Sequence, residues 1–500
     1  MTAAAAGDVA LDSPQGRSVI ATTVAGSAVA MLTATVVNVA LPTLAQDLDA
    51  STGEQQWVVN AYLLTIASLI LIGGNLGDRF GRLRIYRFGV AWFAAASVLC
   101  ALAPNVEVLI AARLLQGVGG ALLTPGSLAI IEATLRPDDR GRGVGQWSGL
   151  GGVAGAIGPL VGGLLVDLSW RLVFLINLPV ALAVLLLARA VPESFDRSSV
   201  GKPLDAGGAV LTTVTLGAAS FALIEGPNGG FGTLDVAAVI VAVVSLLALG
   251  VNERRHPNPL LPLDLLTVRP FLAANIVTLL VYGGMGMVFF LLTIQLQVSL
   301  GWQPVAAGLA LLPITILMLV LSSTAGSVSR RIGPRLPLTV GPLLIAAGMV
   351  LFARIGPGDG YLTDVLPAVL VFGLGLAASV APVTATALGS ISDDRAGVAS
   401  GVNNAISRTG QLLTVAAVPP LVGLTGGALS DPEQLTAGFD DAMYVGAALV
   451  ALGALSSALL FDGRPIEEGI PIDEAVAAGD GDDAGRFHCG VESPQLTRHR

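Results

Sequence analysis

The chain has 500 residues, of which 53% are hydrophobic and only 12% charged, with a mean hydropathy of +0.77 and a net charge of −9. Soluble globular domains carry about 25% charged residues, so this composition excludes a soluble domain and points to a chain of membrane-crossing helices. The charge balance offers no nucleic-acid footprint, and two distant cysteines, Cys100 and Cys489, offer neither a disulfide framework nor a metal cluster.

Residues 1–17 are small and polar and lack a signal-peptide pattern, so they read as a short segment before the first span. Fourteen apolar stretches long enough to cross a bilayer follow: 18–44, 57–77, 85–104, 107–131, 144–166, 172–190, 206–225, 233–252, 271–294, 305–327, 336–354, 364–388, 397–423 and 441–461. The predicted fold is an all-α membrane protein. Residues 462–500, rich in Gly, Asp and Glu, read as a disordered tail.

The first span carries Thr35 and Asn38 on one polar stripe. Between the second and third lies GNLGDRFGRLR, 74–84, a Gly-punctuated run of opposite charges. Gly74, Gly77 and Gly81 punctuate it, and Gly77 and Gly81 permit a tight turn. Asp78 accepts backbone N–H groups or pairs with a nearby arginine, and Arg79, Arg82 and Arg84 hold the turn to one side and reach for acids such as Glu132, Asp138 or Asp139. A simple topological anchor is the plainer reading of the same charges.

The fourth span holds Arg113, a lone cation among apolar residues, with Gln116 one turn on. A charge in lipid costs about 2.5–3.5 kcal/mol or more, so Arg113 faces protein or water, or snorkels to the nearer surface. In the fifth span Gly151, Gly155, Gly158 and Gly162 make one bare face, with Pro159 removing a backbone donor; tight helix packing alone would account for it. The ninth span carries Asn275 and Tyr282 on one face, and the thirteenth carries Asn404, Arg408 and Gln411. Such stripes line a cavity suited to neutral or anionic amphiphiles, or join helices by hydrogen bonds worth about 0.6 kcal/mol each. Acids lie only near span ends, so no embedded carboxylate is expected.

Basic residues mark alternate loops: Arg79 to Arg87, Arg136 to Arg142, Arg197 and Lys202, Arg254 to Arg269, Arg330 to Arg335, and Arg395. The intervening loops are acidic or neutral apart from Arg171 and Arg354. Both termini are therefore predicted to be cytoplasmic. The string GSVSRRIGPRL at 326–336 echoes 74–84, which divides the chain into 18–190, an inserted pair within 191–270, and 271–461.

The string at 74–84 resembles the loop 2–3 signature of the major facilitator superfamily. Arg-x-x-Gln-Gly at 113–117 and the glycine face of the fifth span are similar to two further motifs of that family. TATVVNVALP at 33–42, WRLVFLINLP at 170–179 and LDAGGAVL at 204–211 resemble its fourteen-spanner drug–proton antiporter branch. The resemblance implies a 6 + 2 + 6 arrangement of helices and a cytoplasmic latch centred on Asp78 with Arg82 as partner. It also implies proton transfer influenced by Arg113 and Gln116, with Glu132 as a carboxylate candidate, and an antiporter motif along the fifth span. Thr33 stands where that branch commonly has an acid, which argues against multivalent cationic drugs. The expected function is proton-coupled export of an apolar or amphipathic small molecule from the cell membrane by a monomer without cofactor. An uptake carrier is the alternative, with a non-transporting sensor behind it. Three histidines, His256, His488 and His499, lie outside the spans and leave no nucleophile–base constellation for an enzyme.

Overall fold

The computed structural model describes residues 7, 9–196, 202–230, 232–392 and 395–461, without the side chains of 148–149 and 151–156. The acidic tail and Arg197 lie outside these residues. The described chain is helical, and its one extended pairing is a bridge between Val9 and Leu135. Val9 and Leu11 are buried, so the segment before the first span is partly packed into the fold and not merely a polar leader.

Helix α1, Pro14–Leu48, starts where Ser13 accepts from the Gly16 N–H, and it ends on Asp49 in a left-handed conformation. Helix α2, Thr52–Phe80, opens with a capping box: Ser51 Oγ accepts from Glu54 N, and Glu54 Oε2 accepts from Ser51 N at 2.7 Å. Helices α3 (Arg82–Ala101), α4 (Val106–Thr134) and α5 (Pro137–Val166) follow, then α6 (Leu172–Leu175) and α7 (Asn177–Leu187), which share one span. Next come α8 (Ala206–Gly229), α9 (Thr233–Arg255) and α10 (Arg269–Val298). Helices α11 (Pro304–Ala310) and α12 (Leu312–Ile332) again share a span, followed by α13 (Arg335–Phe352), α14 (Leu366–Gly389), α15 (Ala396–Leu421) and α16 (Pro432–Leu460).

Twelve of these stretches are long and apolar enough to cross a membrane. The remaining two expected spans, 144–166 and 397–423, fall on α5 and α15. Only Ile157–Val166 of α5 reads as a described apolar stretch, and α15, at 26 residues, is diluted by Asn403, Asn404, Arg408 and Gln411. A second difference lies in α16. It begins at Pro432, with Asp431 capping the N–H groups of Glu433 and Gln434, so Asp440 and Asp441 stand two turns inside a spanning helix. The helix thus begins nine residues before the expected span at 441 and carries both acids within it.

Helices α1, α2, α3, α4, α5 and α7 pack on one another, and α10, α12, α13, α14, α15 and α16 do the same. Helices α8 and α9 pair together, and α8 leans on both α2 and α15. Helix α9 turns outward along most of its length, with Leu234 74% and Leu247 67% exposed, as only a lipid environment tolerates. The first group meets the second along α2–α15, α5–α11, α5–α12 and α1–α10. The basic loops define one end of the molecule, and the turns around Asp49 and Gly426 define the other. Arg171, out of place among the acidic turns, pairs with Asp47 at 2.9 Å and stacks over Trp170.

Candidate functional site

At the arginine-rich end, the charged string is mostly helix. Helix α2 runs through Asp78 to Phe80, so Gly77 is a buried helical residue and not part of a turn. The chain reverses at Gly81 alone, whose φ of +108° is open to glycine, and Gly81 N–H donates to Gly77 O at 3.0 Å. The echo string ends the same way: Gly333, with φ +84°, separates α12 from α13.

Arg82 pairs with Asp78 at 2.7 Å and reaches the Ala129 carbonyl at 3.4 Å. Arg79 donates to the Lys202 carbonyl at 2.9 Å. None of these arginines forms an ion pair with Glu132, Asp138 or Asp139; Asp139 instead binds the Leu11 N–H and Arg142. An unforeseen residue completes the corner: the Glu193 carboxylate accepts from Leu83 N at 2.9 Å and Arg84 N at 3.0 Å, capping α3. Gly74 rests against Pro125 of α4.

Deeper in the first group, a buried polar relay links five helices. Arg113, 1% exposed, donates through Nε to Val58 O at 2.9 Å and through Nη1 to Gln116 Oε1 at 2.6 Å. Its guanidinium lies 4.4 Å from the Tyr62 ring centroid. Gln116 donates to Ser97 Oγ at 2.8 Å, Asn177 donates to the same oxygen at 3.3 Å, and Thr33 donates to Asn177 Oδ1 at 3.2 Å. Arg113 is thus satisfied without a carboxylate, and it does not snorkel. Glu132 stands apart, about 28 Å farther along α4 at a 1.5 Å rise per residue.

The glycine face of α5 packs within the first group. A Cβ on Gly158 would strike Thr35 Oγ1, and one on Gly162 would lie 3.1 Å from Val36. Pro159 presents its carbonyl to Gly308 of α11, and Gly163 meets the Val305 backbone, so these two residues carry the contact between groups. Gly151 and Gly155 fall outside the described side chains.

At the acidic end the two groups are stitched together. Pro419 and Pro420 have no N–H, so the carbonyls of Val415 and Ala416 lose their helical partners. Gln56 of α2 takes both, at 2.7 and 3.2 Å. Thr52 N donates to Gly426 O at 2.7 Å, and Leu429 N donates to Thr52 Oγ1 at 3.3 Å. Thr293 Oγ1 reaches Asn38 O at 3.2 Å, and Gln297 reaches Val39 O at 3.0 Å. At the arginine-rich end, among the described residues, no hydrogen bond or ion pair joins α1–α7 to α10–α16. A pocket of about 360 Å³ lined by Gln46, Gln55, Gln297 and Trp302 lies in the stitched end, and none of the expected cavity residues lines it.

Those cavity residues divide in two. Asn275, 3% exposed, accepts from Asn403 and donates to Phe271 O, so it joins α10 to α15. Asn38, 8% exposed, keeps a buried Oδ1 without a partner. Thr35, Tyr282, Asn404, Arg408 and Gln411 are half-buried. Met31, one turn before Thr35, is 39% exposed although α4, α5, α7 and α10 pack around its helix.

A model of the Major Facilitator Superfamily matches residues 23–415. The puromycin resistance protein pur8 of Streptomyces alboniger is 38% identical over 408 residues, covering 80% of this chain and 81% of the relative. A tetracenomycin C resistance and export protein of Streptomyces glaucescens is 35% identical over 394 residues, 78% of this chain and 73% of the relative. Among solved structures, a peptide transporter in complex with sulfate aligns with a TM-score of 0.65 at 14% identity, covering 90% of this chain and 95% of its own, a likeness of fold. The matched helices, the signature string and the relatives agree: the chain belongs to the Major Facilitator Superfamily as a multi-pass membrane transporter of small molecules.

Proposed function

We propose that the protein exports an apolar or amphipathic small molecule, an antibiotic or related metabolite, in exchange for protons. The carrying observation is the one-sided seam: six hydrogen bonds across the acidic end and none across the arginine-rich end among the described residues. Two helix groups hydrogen-bonded at one end and without such bonds at the other fit one limb of alternating access. Resistance and export are what those relatives are named for, and they are carried here to this chain.

In this reading both termini are cytoplasmic, following the arginine-rich loops. The chain has fourteen spans arranged 6 + 2 + 6, with 18–190 and 271–461 as the rocking halves, and it works as a monomer. The state described is then open to the cytoplasm. Asp78 and Arg82 are bound to each other within the first half and free to engage the second when the cytoplasmic end closes. Protons load a carboxylate during the cycle; Asp78 and Glu132 are the cytoplasmic candidates. Asp440, whose buried Oδ1 has no partner, is the candidate within a span.

Inside-out membrane vesicles test the direction. Tetracenomycin C accumulation driven by an acid interior supports export, whereas tetracenomycin C entry into intact cells that depends on the protein supports uptake instead.

A further inference from the structure

We propose that the preferred cargo is an organic anion, an amphiphile bearing a carboxylate or ionised phenol, held by Arg408. This rests on the export reading for its direction of movement, though not for its binding chemistry. A guanidinium stays charged in proteins and carries five donors that need acceptors. The arginines that bear on the interior have theirs: Arg82 has Asp78, Arg171 has Asp47, and Arg113 has Val58 O, Gln116 and the Tyr62 ring. Arg408 has none. Among the described residues it makes no hydrogen bond and no ion pair, and its Nε is buried without a partner.

Its surroundings suit a flat anionic ligand. Arg408 stands in the middle of α15, with Asn404 one turn before it and Gln411 one turn after. Its charge is felt at Tyr62 on α2 and at Tyr282 on α10, so aromatic residues of both halves lie within its reach. Arg113 lies over the Tyr62 ring, adding a second positive charge. No described carboxylate pairs with either arginine. A cationic cargo would meet two fixed like charges, and a neutral one would leave the Arg408 fork unfilled. An anionic oxygen fills it with charge-assisted hydrogen bonds.

Carboxyfluorescein and tetramethylrhodamine ethyl ester, an anion and a cation on related xanthene skeletons, test the assignment. Binding to the purified full chain is read by fluorescence anisotropy in detergent, and transport is read in inside-out vesicles. The wild type should bind carboxyfluorescein at least about tenfold more tightly than the cation. Arg408→Gln should weaken the anion by about tenfold to a hundredfold, the range for a lost hydrogen bond to a charged group. Arg408→Lys should retain part of that affinity. A wild type that prefers the cation, fails to bind carboxyfluorescein, or loses nothing in Arg408→Gln overturns the proposal. Should Arg408→Gln fail to fold, the wild-type preference still decides. Anion binding without flux in either direction would sink export and leave this assignment standing; pumping of the cation alone would do the reverse.

Discussion

Replacing Gln56 by methionine should tip the transporter toward opening at its acidic end. The Gln56 amide is wholly buried and donates to the two carbonyls that Pro419 and Pro420 orphan, at 2.7 and 3.2 Å. Methionine keeps comparable bulk but offers no donor. Val415 and Ala416 are 1% and 0% exposed, so their oxygens would stay dry and unpaired while the end is shut. Leaving a buried acceptor unsatisfied costs about 1–3 kcal/mol. That cost falls on the closed state alone, because opening admits water to the carbonyls. One to three kcal/mol corresponds to about a 5- to 150-fold shift in the ratio of the two states. Spin labels on Asp49→Cys and Thr425→Cys, with Cys100 and Cys489 replaced, would report it by pulsed electron resonance. The long-distance population should grow in Gln56→Met. A distance distribution identical to that of the parent would refute the account of the proline carbonyls.

Three further outcomes follow from the site. Asp78→Asn should cut vesicle flux at least tenfold while leaving the melting temperature nearly unchanged, since a half-exposed i,i+4 pair contributes only about 0.3–0.5 kcal/mol to a helix; normal flux would remove Asp78 from the mechanism. Gly158→Leu should block transport and destabilise the fold by about 1–3 kcal/mol by driving side-chain atoms into Thr35, and wild-type melting and flux would mean the α1–α5 contact is loose. Glu193→Ala should lower stability by about 0.5–2 kcal/mol through loss of the cap on α3, whereas Glu193→Gln, which keeps an acceptor, should cost less; equal melting of all three proteins would discard the capping role.

Local patterns carried much of this architecture. Hydropathy located the twelve helices that are long and apolar enough to cross a membrane, because a lipid-facing helix must be apolar along its length. It faltered on α15, where inward polar residues dilute the signal, and on α16, where the mixed stretch from Pro432 to Asp441 hid a helix that Asp-Pro at its start announces. The string at 74–84 showed charge and glycine, but only backbone geometry separated the helical Gly77 from the true corner at Gly81. Contacts of long sequence separation were out of reach. Glu193 meets α3 from 110 residues away and Gln56 meets α15 from 359. Helical phase separates the two neighbours at this place: Asn403, one residue before Asn404 and about 100° around the helix, makes the bonds to Asn275 and Thr278. Thr33 and Asn177 already stood in two strings that resembled the antiporter branch, and the fold joins them through one hydrogen bond.

The central claim is that the acidic end must part for transport to occur. Thr52 N and Gly426 O stand 2.7 Å apart on opposite groups, close enough for Thr52→Cys and Gly426→Cys to bridge. Flux of a transported compound in vesicles, measured with the pair oxidised and again after reduction, tests the claim directly. The account predicts that oxidation abolishes flux and reduction restores it. Undiminished flux through a fully cross-linked protein would contradict it.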